Sequence, residues 1–304
     1  MAPQPSHADS SSKPTPPERP NLAPGLYVVA TPIGNAGDIT LRALEVLKAA
    51  DVIACEDTRT TGSLMARLGI RTPRLPYHEH NAARQRPALL SRLAEGQAVA
   101  LVSDAGTPLV NDPGYKLTTA AIEAGHAVIP IPGASAPLAA LVASGLPSDR
   151  FLYAGFPPPK DAARRTFIAE LAPIPATLIL FESARRLPDT LVALADVLGD
   201  RPAAVCRELT KLYEEIRRES LTALAQHYAE MGPPKGEVVI VVGPPNPEAI
   251  GPDRSPGALD ARLRAAFAEG LGTKDAAAQV AADTGVARRD LYQRALTLSQ
   301  EDNA

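Results

Sequence analysis

Short apolar runs alternate with amphipathic stretches from Leu26 onward, and this alternation constrains the fold more than any other feature of the sequence. The stretches between the runs carry apolar residues at helical spacing, and Gly96 and Gly125 stand where helix-ending glycines are expected. Helices between continuous apolar strands predict a mainly parallel α/β sheet. The predicted strands are LYVVA (26–30), DVIACE (51–56), AVALVS (98–103) and AVIPI (127–131).

A second set of strands and helices follows a predicted hinge, LPSDR (146–150). Its strand-like runs predict a second α/β domain, and the Pro- and Gly-rich stretch after it predicts a linker. The last segment is helical throughout and predicts a small appendage with the spacing of a helix-turn-helix. The predicted second-domain strands are RFLYAGF (150–156), ATLILFES (176–183), AAVCRELT (203–210) and GEVVIVVG (236–243). The predicted parts are a tail (1–24), two α/β domains (25–145 and 146–243), a linker (244–257) and a helical hairpin (258–304).

The predicted tail is rich in Pro and Ser and has few large apolar residues, so we expect it to be disordered. No apolar run reaches the length of a membrane span, and no secretory signal precedes the first strand. Cys55 and Cys206 are then expected to be buried thiols in a reducing compartment, which predicts a cytoplasmic protein. The net charge of −3 argues against nonspecific coating of nucleic acid. Several arginine pairs still permit a polyanionic partner.

Three turns rich in glycine and proline follow predicted parallel strands: TPIGN (31–35), SDAGTPLVNDPG (103–114) and PGASA (132–136). Ligands of open α/β sheets bind at such strand ends. The glycine spacing of phosphate-binding loops is absent from all three turns. A ligand without phosphate is therefore favoured, held by backbone groups in a narrow crevice. S-adenosylmethionine, with its sulfonium charge and zwitterionic amino acid, fits that description.

The motif CEDTR ends the second predicted strand and places Glu56, Asp57 and Arg59 together. One interpretation is a capped helix start with a surface ion pair; the other is a charged site beside the cofactor, which Asp104 would join. Nearby, His78 and His80 flank a glutamate in a pattern that could suggest a metal site. A third ligand at suitable spacing is lacking in the sequence, so no metal is predicted.

The motifs together are similar to a known family. TPIGN with GDIT, CEDTR, LVSDAGTPLVNDPG, PGASA, GLPSDRF, FESARR and RELTK occur in this order. They closely resemble the small-subunit ribosomal RNA cytidine 2′-O-methyltransferases of the tetrapyrrole-methylase superfamily, over about residues 26–296. The resemblance implies two α/β domains with a cofactor cleft between them. It also implies S-adenosylmethionine as cofactor, a homodimer, and methylation of a cytidine ribose in the decoding region of 16S rRNA.

The resemblance also places the cofactor on particular residues. In the first domain they lie in the three turns: Pro32, Ala105, Thr107, Val110, Ser135 and Ala136. In the second domain they are expected to close the cleft: Phe181, Glu182, Glu237 and Val238.

Attack by a 2′-hydroxyl needs a base or hydrogen-bond acceptor, because its pKa lies far above 7. Residue type and strand-end position favour Asp57 or Glu56 in that role, with Asp104 as the other candidate. Arg59 would hold a phosphate or orient the carboxylate. The candidate RNA-binding residues are basic: Arg84, Arg86, Arg185, Arg186, Lys274, Arg288, Arg289 and Arg294.

Two other functions stay open at this stage. A tetrapyrrole methylase would keep the cofactor, but the first loop lacks the glycines typical of that branch. A transcription regulator would read DNA with the C-terminal helices, but the hairpin lacks an obvious polar set for base edges, so no DNA partner is predicted.

Overall fold

The computed structural model describes residues 22–110, 114–246 and 255–301. The predicted tail before residue 22, residues 247–254 of the predicted linker and residues 111–113 of the second turn lie outside the described residues. Two compact units are present. Among the described residues, the first contains those up to Ala143 together with Cys206–Glu215, and the second contains Ser144–Val205 and those from Ile216 onward.

The first unit is built on a five-stranded sheet with helices between its strands. Its strands are β1 (Gly25–Val29), β2 (Val52–Cys55), β3 (Arg74–Pro76), β4 (Ala98–Val102) and β5 (Val128–Ile131). Its helices are α1 (Leu41–Ala49), α2 (Thr58–Arg67), α3 (Ala82–Ala94), α4 (Tyr115–Glu123) and α5 (Ala136–Ser144). The strand order is β3-β2-β4-β1-β5, and every pairing is parallel. The prediction of a parallel sheet is confirmed.

Local sequence explains how these elements begin and end. Strands β2 and β4 are buried along their whole length, as expected for strands covered on both faces. Helix α1 starts at Thr40, whose Oγ1 accepts a hydrogen bond from Ala43 N at 3.1 Å. The chain after α3 and α4 turns through Gly96 and Gly125 at φ +80° and +78°, a conformation that glycine adopts without strain.

Another five-stranded sheet lies mostly in the second unit; only Cys206, Arg207 and Glu215, at the ends of two of its strands, are assigned to the first unit. Its strands are β6 (Phe151–Gly155), β7 (Thr177–Ser183), β8 (Pro202–Arg207), β9 (Glu215–Ser220) and β10 (Glu237–Val242), in the order β6-β7-β10-β8-β9. Its helices are α6 (Asp161–Leu171), α7 (Leu187–Leu198) and α8 (Leu221–Met231). Strands β6 and β7 are parallel, whereas β7 and β10 are antiparallel. Leucines of α7 and α8 pack with the inner residues of the sheet.

Three further helices follow: α9 (Pro256–Ala268), α10 (Thr273–Thr284) and α11 (Arg288–Glu301). They share a small core of their own, in which Leu263, Val280, Leu291 and Leu298 are buried. Helix α10 ends at Thr284 and is capped by Gly285, which is left-handed at φ +69° and redirects the chain toward α11. The prediction of two α/β sheets with a C-terminal helical appendage is confirmed.

The structure differs from the sequence reading at three places. Strands β3 and β9 were not predicted. Strand β8 ends at Arg207 instead of residue 210, because Glu208 and Thr210 have φ of +50° and +66° and leave the extended conformation. The segment Cys206–Glu215, placed by sequence within 146–243, belongs to the first unit.

Candidate active site

The carboxyl edge of the first sheet contains a reversal of strand order. Strand β1 lies between β4 and β5. The chain leaves β1 toward β2 on one side, and it leaves β4 toward β5 on the other side. In open α/β sheets, ligands bind in the crevice that forms where two neighbouring strands lead their connections in opposite directions. The loops that follow β1 and β4 are therefore the expected ligand-binding loops.

Backbone hydrogen bonds join these two loops. Thr31 N donates to Gly106 O, and Gly106 N donates to Thr31 O, both at 2.9 Å. The hydroxyl of Thr31 donates to Ser103 O at 3.4 Å, and Thr31 and Pro32 are buried. The turn TPIGN and the loop SDAGTP therefore hold each other in place.

The third turn joins the same cluster. Thr107 Oγ1 donates to Ala134 O at 3.0 Å, which links the loop after β4 to the turn after β5. A Cβ atom on Gly106 would lie 3.2 Å from Ile33 Cγ2, and a Cβ atom on Gly133 would lie 3.0 Å from Ala30 Cβ. Glycines at both positions let the backbones of the three turns approach closely.

The structure thus brings together the six first-unit residues predicted to bind the cofactor. Pro32 is buried and Ala105 is exposed, and the others are half-buried: Thr107, Val110, Ser135 and Ala136. A wall of small side chains and closely packed backbone fits a ligand that needs no phosphate cradle. These assignments remain predictions.

The second-unit residues predicted to bind the cofactor lie on two paired strands. Glu182 of β7 pairs with Val238 of β10, and Phe181 pairs with Val239. The ring of Phe181 also packs edge-to-face against Tyr153, with ring centroids 5.0 Å apart. Glu237 is exposed at the start of β10.

The carboxylate of Glu182 is buried and already has internal partners. It accepts hydrogen bonds from Ser183 N at 2.6 Å, from Thr190 Oγ1 at 2.6 Å and from Arg186 Nε at 2.8 Å. Arg186 also donates to Pro157 O at 3.3 Å. Charge-assisted bonds of this kind are strong, so this cluster holds the end of β7 against the start of α7.

Asp57 shows the geometry of a helix cap. Its Oδ1 accepts from Arg59 N at 2.7 Å at the start of α2, and its Oδ2 lies 3.0 Å from Arg59 Nη2. The hydrogen bonds from Arg59 lower the pKa of the Asp57 carboxyl. This is the capped start with an ion pair that the sequence also permitted. Asp104 Oδ1 accepts from Asp57 N at 3.1 Å, so the ends of β2 and β4 meet here.

Glu56 is half-buried beside this pair, and the pKa of its carboxyl shifts in the opposite direction to that of Asp57. Burial raises the pKa of its carboxyl, and the nearby charges of Asp104 and Asp57 raise it further, while His78 opposes the shift. A carboxylate with a raised pKa accepts a proton more readily than one whose pKa is lowered. The pKa of Glu56 thus shifts in the direction that suits a proton acceptor, and that of Asp57 shifts in the opposite direction.

The basic residues predicted to bind RNA fall into two groups. Arg84, Arg185, Lys274, Arg288 and Arg289 are exposed. One of these, Arg289, lies 3.4 Å from the carboxylate of the neighbouring Asp290. The remaining three also have partners within the protein, and Arg294 is exposed as well. Arg86 interacts with the Tyr77 hydroxyl, Arg186 pairs with Glu182, and Arg294 pairs with Asp260.

Sequence reasoning gave no site role to the motif RELTK, yet Leu209, Thr210 and Lys211 pack against Gly34 of the first turn. The motif stands about 175 residues after that turn, and no local pattern indicates the contact. Only its place among the family motifs could have drawn attention to it.

No group of three or more His, Cys, Asp or Glu side chains suited to a metal ion occurs in residues 22–110, 114–246 and 255–301. Within the same ranges, no helix combines the length and the apolar character that crossing a membrane requires.

Comparison with known proteins identifies the class of this fold and site. The family model described as Tetrapyrrole (Corrin/Porphyrin) Methylases matches residues 25–225. The solved structure of uroporphyrin-III-C-methyltransferase from Thermus thermophilus is similar, with a TM-score of 0.52 and 26% identity, over 72% of this chain and 93% of that one. These findings confirm the fold class.

Relatives of higher sequence identity show to which branch of the tetrapyrrole methylases the chain belongs. Ribosomal RNA small subunit methyltransferase I of Mesorhizobium japonicum is 54% identical over 283 residues, which cover 93% of this chain and 94% of the relative. The enzyme of that name from Escherichia coli O157:H7 is 46% identical over 273 residues, covering 89% and 94%. The model described as RsmI C-terminal HTH domain matches residues 253–299. The chain belongs to the ribosomal RNA small subunit methyltransferase I family, which confirms the predicted resemblance.

Proposed function

We propose that this protein transfers a methyl group from S-adenosylmethionine to the 2′-oxygen of a cytidine ribose in 16S rRNA, in the decoding region of the small subunit. The observation that supports it most is the meeting of three turns at the strand-order reversal, in a chain whose relatives carry the name of a ribosomal RNA methyltransferase. We also propose that the protein is a homodimer, as the resemblance implies. The sequence further predicts that it is cytoplasmic and that it needs no metal.

The first-unit turns would hold the cofactor. Gly106 and Gly133 bring backbone to within van der Waals distance of neighbouring turns, and Pro32 is fixed in the buried wall. The cofactor supplies an electrophilic methyl group on a sulfonium. The turns would orient it by backbone and small-side-chain contacts with Ala105, Thr107, Val110, Ser135 and Ala136. In the second unit, the carboxylate of Glu182 is taken up by internal hydrogen bonds, so the proposed contribution of Glu182, Phe181, Glu237 and Val238 rests on the resemblance.

In the proposed step, the 2′-oxygen attacks the methyl carbon while the bond from that carbon to sulfur breaks, which leaves S-adenosylhomocysteine. The hydroxyl proton passes to the carboxylate of Glu56. Asp57 and Asp104 contribute by keeping the pKa of Glu56 raised, and the cap formed by Asp57 and Arg59 fixes the start of α2. Holding oxygen and methyl carbon about 3 Å apart and aligned supplies much of the rate.

The exposed basic residues would bind the RNA strand. Arg84 is an exposed residue of α3 in the first unit, and Arg185 is exposed between β7 and α7 in the second unit. Lys274, Arg288 and Arg289 belong to the C-terminal helices. Phosphate contacts from such residues position an RNA without reading its sequence. Sequence-specific recognition of RNA usually requires an unstacked base, so the target cytidine would be splayed out of its strand.

Methyl transfer to ribosomal subunits tests the proposal. Purified protein is incubated with methyl-labelled S-adenosylmethionine and small subunits that lack the modification, and the RNA is then digested to nucleosides. Label in 2′-O-methylcytidine is the expected result. Transfer to a porphyrinogen instead of RNA would contradict the proposal in favour of a tetrapyrrole substrate, and label in another nucleoside would contradict the cytidine assignment.

Glu56→Gln should lower kcat about 100-fold or more, the usual contribution of a general base. Asp57→Asn should lower it far less, because Asp57 caps α2 and its pKa is lowered by Arg59. Both variants should bind S-adenosylmethionine normally in calorimetry. Since Glu56 acts deprotonated and its pKa is raised, kcat should fall as pH drops through that pKa.

The carboxyl of Glu56 affects protein stability in the opposite direction: lowering the pH decreases kcat but increases the stability that this group contributes. A carboxyl whose pKa is raised by folding stabilises the protein below its unfolded pKa, and this stabilisation is lost as pH rises through the folded pKa. Glu56→Gln should therefore be at least as stable as wild type near neutral pH. If Asp57→Asn loses more kcat than Glu56→Gln, the assignment of the proton acceptor is wrong.

A further inference from the structure

The turn Ile33–Asn35 is contacted by a segment far away in sequence. A Cβ atom on Gly34 would overlap Lys211 Cγ, and it would lie 3.0 Å from Thr210 Oγ1 and 3.1 Å from Leu209 O. Three consecutive residues of the motif RELTK therefore rest on the backbone of this turn.

Lys211 is held over the turn by an ion pair within the same segment. Its Nζ lies 2.8 Å from Glu208 Oε1, and the two side chains are only 27% and 18% exposed. Ion pairs that are partly shielded from water keep a defined geometry better than exposed ones do. The aliphatic part of Lys211 is thereby kept against Gly34.

The backbone of the segment is held in an uncommon conformation. Glu208 and Thr210 both have positive φ, which is rare for residues with a Cβ and rarer for a β-branched one. Thr210 N donates to Glu214 Oε2 at 2.7 Å, and Arg207 Nε and Nη2 both donate to Glu215 Oε2, at 3.0 and 2.9 Å. Strained residues persist where the surroundings fix them, and they often lie at functional sites.

The hydroxyl of Thr210 adds an independent observation. Its Oγ1 is buried and has no hydrogen-bond partner among the described residues. It is also one of the atoms nearest to Gly34. Buried hydroxyls are normally hydrogen-bonded, and an exception needs an explanation. This segment is strained, and the unpartnered hydroxyl lies against the turn that is proposed to bind the ligand. We therefore expect the conformation of the segment to be maintained for the sake of that turn.

We propose that Lys211 is a positioning residue for methyl transfer: held by Glu208, it fixes the turn at Gly34 in the shape that binds S-adenosylmethionine. This inference rests on the proposed function for the identity of the ligand. Lys211 acts through the turn and takes no part in the transfer. Its removal should weaken cofactor binding and leave RNA binding unchanged.

Lys211→Ala tests the proposal, with Leu212→Ala as the matched control, because Leu212 is the next residue and is 89% exposed. By calorimetry, Lys211→Ala should raise the Kd for S-adenosylmethionine about tenfold, since an unfixed turn must be ordered on binding. Lys211→Arg should restore most of the affinity, and Leu212→Ala should bind as wild type. The KM for RNA should not change in any of them.

Hydrogen exchange in the protein without cofactor provides a second readout. Lys211→Ala should exchange faster than wild type at the amides of Ile33 to Asn35, and Leu212→Ala should not. Unchanged exchange and unchanged cofactor Kd in Lys211→Ala would overturn the proposal, as would an effect on the KM for RNA alone. If Lys211→Ala does not fold, Glu208→Gln replaces it, with a several-fold weaker cofactor Kd expected for loss of the ion pair.

The two proposals fail in different ways. If wild-type protein does not bind S-adenosylmethionine, the proposed function is wrong, whereas faster exchange at the turn would still show that Lys211 fixes it. If wild type binds the cofactor and methylates RNA but Lys211→Ala does both normally, only the role of Lys211 is wrong.

Discussion

Arg186→Met is expected to lower the free energy of unfolding by about 3 kcal/mol, because it leaves a buried carboxylate without its cation. The Glu182 side chain is 0% exposed and its Oε1 lies 2.6 Å from Arg186 Nη2. Without the guanidinium, Ser183 N and Thr190 Oγ1 remain as partners, and neither carries a positive charge. Urea denaturation followed by circular dichroism measures the change.

Arg185→Met is the matched control for this variant. Arg185 is the preceding residue and is exposed, so its substitution should change stability by no more than about 0.5 kcal/mol. If it contacts RNA as predicted, its substitution should instead raise the KM for RNA. A stable Arg186→Met protein with weakened RNA binding would show that Arg186 serves the RNA and not the fold.

Gly106→Ala is expected to raise the Kd for S-adenosylmethionine at least tenfold, a change equivalent to about 1.4 kcal/mol. Gly106 has φ +77°, and a Cβ atom there would press on Ile33 Cγ2 at 3.2 Å. The same residue exchanges two backbone hydrogen bonds with Thr31. A shift of this loop would therefore move the turn after β1 as well.

Gly125→Ala separates backbone strain from the effect on the site. Gly125 has nearly the same φ, +78°, with no atom within 4 Å of an added Cβ. Both variants should lose roughly 1–2 kcal/mol of stability from a left-handed alanine. Only Gly106→Ala should also lose cofactor affinity, as measured by calorimetry on the folded protein. Equal cofactor Kd values for the two variants would contradict the role given to the loop after β4.

The sequence predicted the buried strands well and missed two of the four edge strands, β3 and β9. Strands β2 and β4 are continuous apolar runs because both of their faces are covered. Strand β3 has three residues and ends in proline, and β9 reads EIRRES. Both lie at the edge of a sheet, where charge and proline are tolerated and no apolar pattern is required.

The candidate site was predictable where it depends on strand ends and unpredictable where it depends on distant contacts. Parallel strands place the turns after β1, β4 and β5 at one edge, so grouping Pro32, Thr107 and Ser135 required only the topology. The internal partners of Arg186 and the contact of Lys211 with Gly34 depend on tertiary packing. From residue type alone, Arg186 was predicted to be an exposed cation that binds RNA, and Lys211 was given no role.

The division of the first unit in sequence has a consequence for the order of events during synthesis. This unit contains the chain up to Ala143 and then Cys206–Glu215, which is made roughly 70 residues later. At about 5–20 residues per second, several seconds of translation separate the two parts. Over that interval the nascent chain carries the turn at Gly34 without Lys211. If Lys211 fixes this turn as proposed, the turn reaches its final shape only after Lys211 has left the exit tunnel, and cofactor binding should begin late in translation.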